Sequence, residues 1–313
     1  MPCFRPMLMV KSKDGDYEFC NDVFFEKTRG DSRHFHGDVI RVPCGHCSGC
    51  RLEYAKKWSY RLIAESTLYP NNSFLTLTYD DDNLVVNDND LGILVPSHFT
   101  DFMKRLRERF AREQGTKLRF FMCGEYGSKS MRPHYHAIVL NAGFDDMKYW
   151  SKTQSGEVIF RSSLLEELWP YGQSSIGEVT PSSCAYVARY VQKKADIDKS
   201  IYDELGIPKE YVRMSRRPGI GVPYLEKHFD KIMENGKMYL PGGQTAFIPR
   251  SWEKYFPSDY IEQMKEDRLA KQRLTDSYLK SVQGNSLETI FKQIDARKWF
   301  QGNYLERISD KNQ

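Results

Sequence analysis

No stretch of this 313-residue chain approaches the ~20 consecutive apolar residues that a helix needs to span a bilayer. The N-terminus, MPCFRPMLMVKSKDGD, carries an apolar patch too short for a secretory h-region and no small-residue cleavage site. The expectation is a protein of the cytoplasm. Internal repeats and low-complexity tracts are missing too, which argues against repeat architectures. Neither sign of charge dominates: 46 Lys and Arg stand against 42 Asp and Glu, a net charge of +4. That balance permits a nucleic-acid partner without demanding one. No helicase-type Gly-Lys phosphate loop is present. Cysteines number only seven, an odd count, and a cytosolic chain this long needs no disulfide framework.

What is present reads as a globular α+β protein, with 40% hydrophobic and 28% charged residues. Residues 46–68 place Leu52, Ala55, Trp58, Leu62 and Ala64 roughly on one helical stripe. FLTLTY (residues 74–79) alternates as a strand. Pro96 and Ser97 open a helix with Phe99, Phe102, Met103, Leu106 and Phe110 inward and Lys104, Arg105, Arg107, Arg109 and Arg112 outward. Residues 118–125 and 134–140 form a hairpin. A short helix over 164–169, a strand over 176–179 and a helix capped by Ser182 or Ser183 follow. A charged amphipathic helix is expected over 259–283. This order predicts a central, mostly antiparallel sheet flanked by helices. The expected boundaries are an N-terminal segment at 1–69, a sheet domain at 70–195 and a partly helical C-terminal extension at 196–313.

Two constellations carry chemistry. In Arg132-Pro133-His134-Tyr135-His136, the histidines sit two apart on a strand and so share a face. They can be two legs of a metal site, or hydrogen-bonded histidines of the core. Glu125 ends the preceding strand, and the hairpin brings it beside them unless Gly124 inserts a bulge. Two imidazoles and a carboxylate suit Mg2+ or Mn2+ with positions open to a phosphate. In the second constellation, Tyr186 and Tyr190 lie one turn apart on a helix, followed by Lys193 and Lys194. They can line a core, or present two hydroxyls to one site. A phenol of pKa about 10 is a weak nucleophile at neutral pH and needs a nearby cation. Lys193 follows Tyr190 by three residues and no lysine stands so for Tyr186, which narrowly favours Tyr190 for a first attack.

A third feature is the run Cys44-Gly45-His46-Cys47-Ser48-Gly49-Cys50. Structural Zn2+ needs four ligands and three thiols are local. Cys3 is the preferred fourth, ahead of Cys20 and of His46, which is cramped beside Cys47. An iron–sulfur cluster or reduced, buried thiols are the other readings.

FLTLTY, RPHYH and YVARYVQKK, in that order, resemble the three motifs of HUH replication initiators. The doubled tyrosine is similar to that of the rolling-circle initiators of the Microviridae, and PCGHCSGCR and SRRPGIG to their gokushovirus branch. The resemblance implies an HUH endonuclease domain that nicks and religates single-stranded DNA at the viral origin through a phosphotyrosine. It implies His134, His136 and Glu125 as metal ligands and Tyr186 and Tyr190 as alternating nucleophiles. It further implies host helicase and polymerase as partners in the bacterial cytoplasm. DNA contacts are expected from Arg105, Arg109 and their neighbours across Lys104–Arg112, from Arg51, Lys56, Lys57 and Arg61, and from Arg216 and Arg217, with Tyr79 stacking on bases. The competing readings are a single-stranded-DNA-binding protein with a dead HUH domain, and an HUH transposase.

Overall fold

The computed structural model describes residues 3, 7–11, 17–20, 40–127, 130–193 and 199–283. Near the N-terminus, three short strands, β1 (Met7–Lys11), β2 (Tyr17–Cys20) and β3 (Ile40–Val42), form an antiparallel sheet with β1 in the middle. They belong with Met1–Glu53 and Tyr255–Gln313 to one unit of the chain, and Tyr54–Lys254 forms the other. Helix α1 (Ser48–Ser66) starts in the first unit and runs on into the second.

The second unit is built on a seven-stranded sheet. Its elements are β4 (Asn72–Thr78), α2 (Pro96–Gln114), β5 (Arg119–Tyr126), β6 (Pro133–Leu140), β7 (Lys148–Lys152), β8 (Val158–Arg161), α3 (Ser163–Leu168), β9 (Ser174–Gly177), α4 (Pro181–Lys193), α5 (Lys199–Leu205) and β10 (Tyr211–Met214). Strand order is β10-β5-β6-β4-β9-β8-β7, and every neighbouring pair is antiparallel. Two short helices, α6 (Val222–Lys227) and α7 (Phe229–Asn235), and a hairpin of β11 (Lys237–Tyr239) and β12 (Thr245–Phe247) complete it. The long helix α8 (Ser258–Gln283), close to the 259–283 expected from the sequence, lies in the first unit. No helix among the described residues is long and apolar enough to cross a membrane.

Alternation assigns the two faces of the sheet. On one face Leu75, Leu77, Met122, Tyr135, Ala137 and Val139 pack with α2 and α3. Helix α2 supplies Phe99, Phe102, Met103, Leu106 and Phe110, all buried and spaced for one side of a helix. At ~2 kcal/mol per buried side chain, this stripe contributes on the order of 10 kcal/mol, as much as the net stability of a typical domain. On the opposite face, Trp58 of α1 meets Phe121 of β5, their ring centroids 5.5 Å apart. There Glu65, fully buried, takes hydrogen bonds from the Arg119 guanidinium and from the Gly221 N–H. Helix α4 packs on this second face, over β5, β6 and β10.

The sequence did not anticipate β7, β8 or β10. β7 (KYWSK) is almost wholly exposed and lacks alternation, and β8 and β10 are four-residue strands. The cap of α4 also differs: Ser183 N–H bonds to Thr180 Oγ1 at 3.1 Å, and Thr180 N–H bonds back to Ser183 Oγ at 2.8 Å. Thr180 is the cap, and Pro181 after it fits the first helical position because its missing N–H is not needed there.

Candidate active site

Strand β6 lies between β5 and β4, and its register fixes the site. Glu125 stands directly opposite His134 on one side and Thr78 on the other; Cys123 and Thr76 flank His136. Pairing runs without interruption from Arg119 to Tyr126, so Gly124 makes no bulge and Glu125 faces the histidines. Gly124 instead leaves room on the other face: a Cβ would meet the Tyr135 and Tyr211 rings at 3.0 Å, tight enough that they would have to give way.

The polar ends converge. His134 Nε2 lies 2.9 Å from Glu125 Oε1, and His136 Nε2 lies 3.2 Å from the same oxygen. The Tyr186 hydroxyl lies 3.4 Å from His136 Nε2 and donates towards Glu125 Oε1 at 3.5 Å. The outer nitrogens are occupied as ligands require. His134 Nδ1–H donates to the Arg132 carbonyl at 3.1 Å, and His136 Nδ1 bonds with Thr76 Oγ1 at 3.0 Å. Such bonds set the tautomer and orient Nε2 inward. Phe74 stacks on the His136 ring, with centroids 5.5 Å apart and planes 15° from parallel, and Tyr186 meets that ring edge-on at 5.0 Å.

Burial raises the Glu125 carboxyl, but the hydrogen bonds and charge of His134 and His136 outweigh it and hold the group below the ordinary carboxylate range. Burial likewise keeps His136 below the usual imidazole value. The ionised Glu125 carboxylate and both Nε2 atoms thus meet at one point, and in the neutral imidazoles those nitrogens offer lone pairs to a cation. Adjacent ligands of an octahedral ion at ~2.1 Å are about 3.0 Å apart. The separations of 2.9 and 3.2 Å match that edge, and all three ligand atoms lie within 4.8 Å of one another. The residues present fit a divalent ion.

Tyr186 reaches this cluster from α4, whose Cys184, Val187 and Ala188 are buried while Tyr186 is 37% exposed at the rim. Tyr190 and Lys193 lie on α4 one and nearly two turns further on. Lys194 lies outside the described residues. In the first unit, Cys3, Cys44, Cys47 and Cys50 gather their sulfurs within 4.8 Å.

Several expected DNA contacts are corrected. Tyr79 cannot stack on bases: it is 3% exposed, on the α2 face, and its hydroxyl bonds with Tyr135 and His98. Arg105 and Arg109 sit across the sheet from the histidines. Arg105 donates twice to the Leu168 carbonyl at the end of α3, and Arg109 pairs with Glu113 and Glu167. Arg61 is buried, donating to the Ile220 carbonyl and lying over the Trp58 ring. Arg216 and Arg217 are exposed and line a cavity of about 490 Å3 with Arg107, Lys117 and Arg119. From Arg119 to Glu125 along β5 is about 20 Å, at ~3.3 Å per residue. Sequence reasoning missed Phe74 and Thr76, although the alternation of FLTLTY already places them together on one face.

A family model described as replication-associated protein ORF2/G2P matches residues 72–195, the span from β4 to just past α4. The replication-associated protein ORF2 of Spiroplasma virus 4 is 32% identical over 299 residues, covering 88% of each chain. The replication-associated protein VP4 of Bdellovibrio phage phiMH2K is 34% identical over 271 residues, 85% of this chain and 80% of its own. The replication-associated protein ORF4 of Chlamydia phage 1 is 32% identical over 217 residues, 66% of this chain and 51% of its own. No solved structure matches significantly. The extent and level of these likenesses bear out the resemblance read from the motifs: the chain belongs to the family of phage replication-associated proteins.

Proposed function

We propose that the protein is an HUH-type replication initiator that nicks and rejoins single-stranded DNA at a viral origin through a phosphotyrosine. One observation carries this reading: a tyrosine hydroxyl lies within 3.5 Å of two members of a His–His–Glu triad suited to a divalent ion. A core role for these groups would not expose the phenol or aim three acceptors at one point.

His134, His136 and Glu125 would hold Mg2+ or Mn2+. Bound there, the ion would neutralise charge on the scissile phosphate and act as a Lewis acid. The chain's own residues do the rest. Arg132 and Thr76 fix the imidazoles, Phe74 and Tyr186 pack His136, and α4 carries the phenol to the rim. The Tyr186 oxygen attacks phosphorus, the bond from phosphorus to the 3′ oxygen breaks, and the net proton passes from the phenol to that oxygen. A 5′-phosphotyrosine and a free 3′-hydroxyl result, the latter a primer for the host polymerase. Because the phosphodiester is exchanged for another phosphate ester, rejoining needs no ATP.

The contact made by Tyr186 supports it for the first attack, where lysine spacing had favoured Tyr190. Tyr190, one turn on, takes the second attack, on the regenerated origin. Lys193 adds positive charge at that end of α4, and Lys194 follows it in the sequence. Phosphates of the bound strand run towards the cleft of Arg216 and Arg217. The protein acts in the host cytoplasm and leaves strand separation to a host helicase.

A test needs no knowledge of the origin. Full-length protein is mixed with a random pool of single-stranded oligonucleotides and Mn2+ or Mg2+, and covalent adducts are isolated on denaturing gels and sequenced. Adducts on a recurring sequence, dependent on the ion, are expected. Binding without any adduct under either ion would instead support an inactive DNA-binding protein.

A further inference from the structure

Four thiols of the first unit, those of Cys3, Cys44, Cys47 and Cys50, gather at one point. Three of them, Cys3, Cys44 and Cys47, are only partly buried, so apolar burial does not explain why they meet. None is in a disulfide; the Cys44 and Cys50 sulfurs are 4.0 Å apart, as are those of Cys3 and Cys47. A disulfide would need about 2.05 Å. Thiolates at ~2.3 Å around one tetrahedral ion are about 3.8 Å apart. All four sulfurs fall within 4.8 Å, a span that suits one ion and is tight for the several irons and sulfides of a cluster.

The backbone is arranged to support negative sulfur. Cys47 N–H points at Cys44 Sγ at 3.4 Å, Cys44 N–H at Cys3 Sγ at 3.3 Å, and Gly45 N–H at Cys50. Such bonds disperse thiolate charge around a metal. The turn that aims them needs Gly45, whose φ of +78° is costly for any side chain. The Cys47 carbonyl accepts from Arg51 N–H at 3.0 Å, which makes Cys47 the residue at the head of α1. Cys50 lies in the first turn of α1, at the positive end of the helix dipole, although its burial raises the thiol above its ordinary value. His46 is exposed and outside the group.

We propose that Cys3, Cys44, Cys47 and Cys50 form a structural Zn2+ site, separate from the nicking centre and independent of whether that centre works as argued. Binding exchanges thiol protons for one Zn2+ with no change of oxidation state. The ion ties residue 3, just before β1, to the head of α1, across a sequence separation of 41 residues to Cys44. Four ligands leave no open position, so the site takes no part in catalysis.

The test is elemental analysis of the purified full-length protein after dialysis against EDTA. The expected result is one zinc per chain. It should persist in the double variant His134→Ala/His136→Ala and in His46→Ala, and be lost in Cys3→Ser and Cys47→Ser. Titration of the native wild-type protein with an organomercurial should release zinc as thiols are modified, which decides the matter even if the serine variants are insoluble. Zinc that disappears with the histidines, iron with acid-labile sulfide, or thiols that titrate with no metal released would each overturn the proposal.

Discussion

Replacing Tyr186 by phenylalanine should separate chemistry from folding. The hydroxyl's two contacts, at 3.4 Å to His136 and 3.5 Å to Glu125, are long for O–H donors, which favour about 2.5–3.0 Å. Losing them costs less than ~1 kcal/mol. The ring stays, with its edge-on contacts to His136 at 5.0 Å and Phe74 at 6.3 Å. For a domain of this size that is a fall in Tm of at most about 4 °C. The rate of the first cleavage, in contrast, should fall by ~10³-fold or more, because loss of a nucleophile leaves only binding and polarisation of the phosphate. The assay is single-turnover adduct formation on a labelled strand recovered from the oligonucleotide pool, followed alongside thermal unfolding. Residual adducts in Tyr186→Phe should map to Tyr190, and Tyr186→Phe/Tyr190→Phe should form none. The reasoning fails if Tyr186→Phe cuts at nearly the wild-type rate while Tyr190→Phe alone abolishes the first cut. The lysine spacing would then have outweighed the observed contact. Adducts persisting in the double variant would refute tyrosine chemistry altogether.

Other expectations follow from the same geometry. His134→Ala should lower cleavage more than ~100-fold, beyond the usual cost of losing an outer partner of a metal, while affinity for single-stranded DNA changes only a few-fold. Equal loss of both would make the histidines structural. Glu65→Gln leaves Arg119 buried without its counter-charge and should cost about 3–5 kcal/mol, or roughly 6–20 °C in Tm. A thermal scan showing less than ~1 kcal/mol of destabilisation would mean that the pair is not closed in solution. Arg216→Ala/Arg217→Ala should reduce the slope of log affinity against log salt by about 1.4 if each arginine meets one phosphate of a single strand. An unchanged slope would remove the cleft from the DNA path.

Much of the sheet was legible because its central strands follow strict rules. FLTLTY alternates, and its burial alternates with it; α2 carries a stripe ended by Gly115. The peripheral strands were not legible. β7 buries little on either face, so no pattern marks it, and β10 pairs through the backbone with β5, which its side chains do not announce. The site was legible as pairs of residues but not as a geometry. H-x-H put both imidazoles on one face, yet only the register across β5 and β4 shows that Glu125 meets His134 and Thr76 meets His136. Tyr79 misled for an instructive reason: an aromatic ring can stack on bases, but parity with Leu75 and Leu77 already assigns this one to the core.

That parity explains why one strand can serve both stability and chemistry. Tyr135, between the two histidines, points to the other face. Its hydroxyl donates to the Val95 carbonyl at 2.9 Å and accepts from Val95 N–H at 3.0 Å, with Tyr79 also 3.0 Å away. Burial drives the acidity of this phenol far below that of ordinary tyrosine, so it is a structural group, unlike the exposed Tyr186. A slip of β6 by one residue would exchange the faces, placing Tyr135 towards α4 and the imidazoles in the apolar core under α2. The slip would strand the Tyr135 hydroxyl's partners and bury two imidazoles among Phe99, Phe102 and Trp169 without their acceptors, at a few kcal/mol for each orphaned group. The bonds that Tyr135 makes on the core side thus fix the register that brings His134 and His136 to Glu125 on the other.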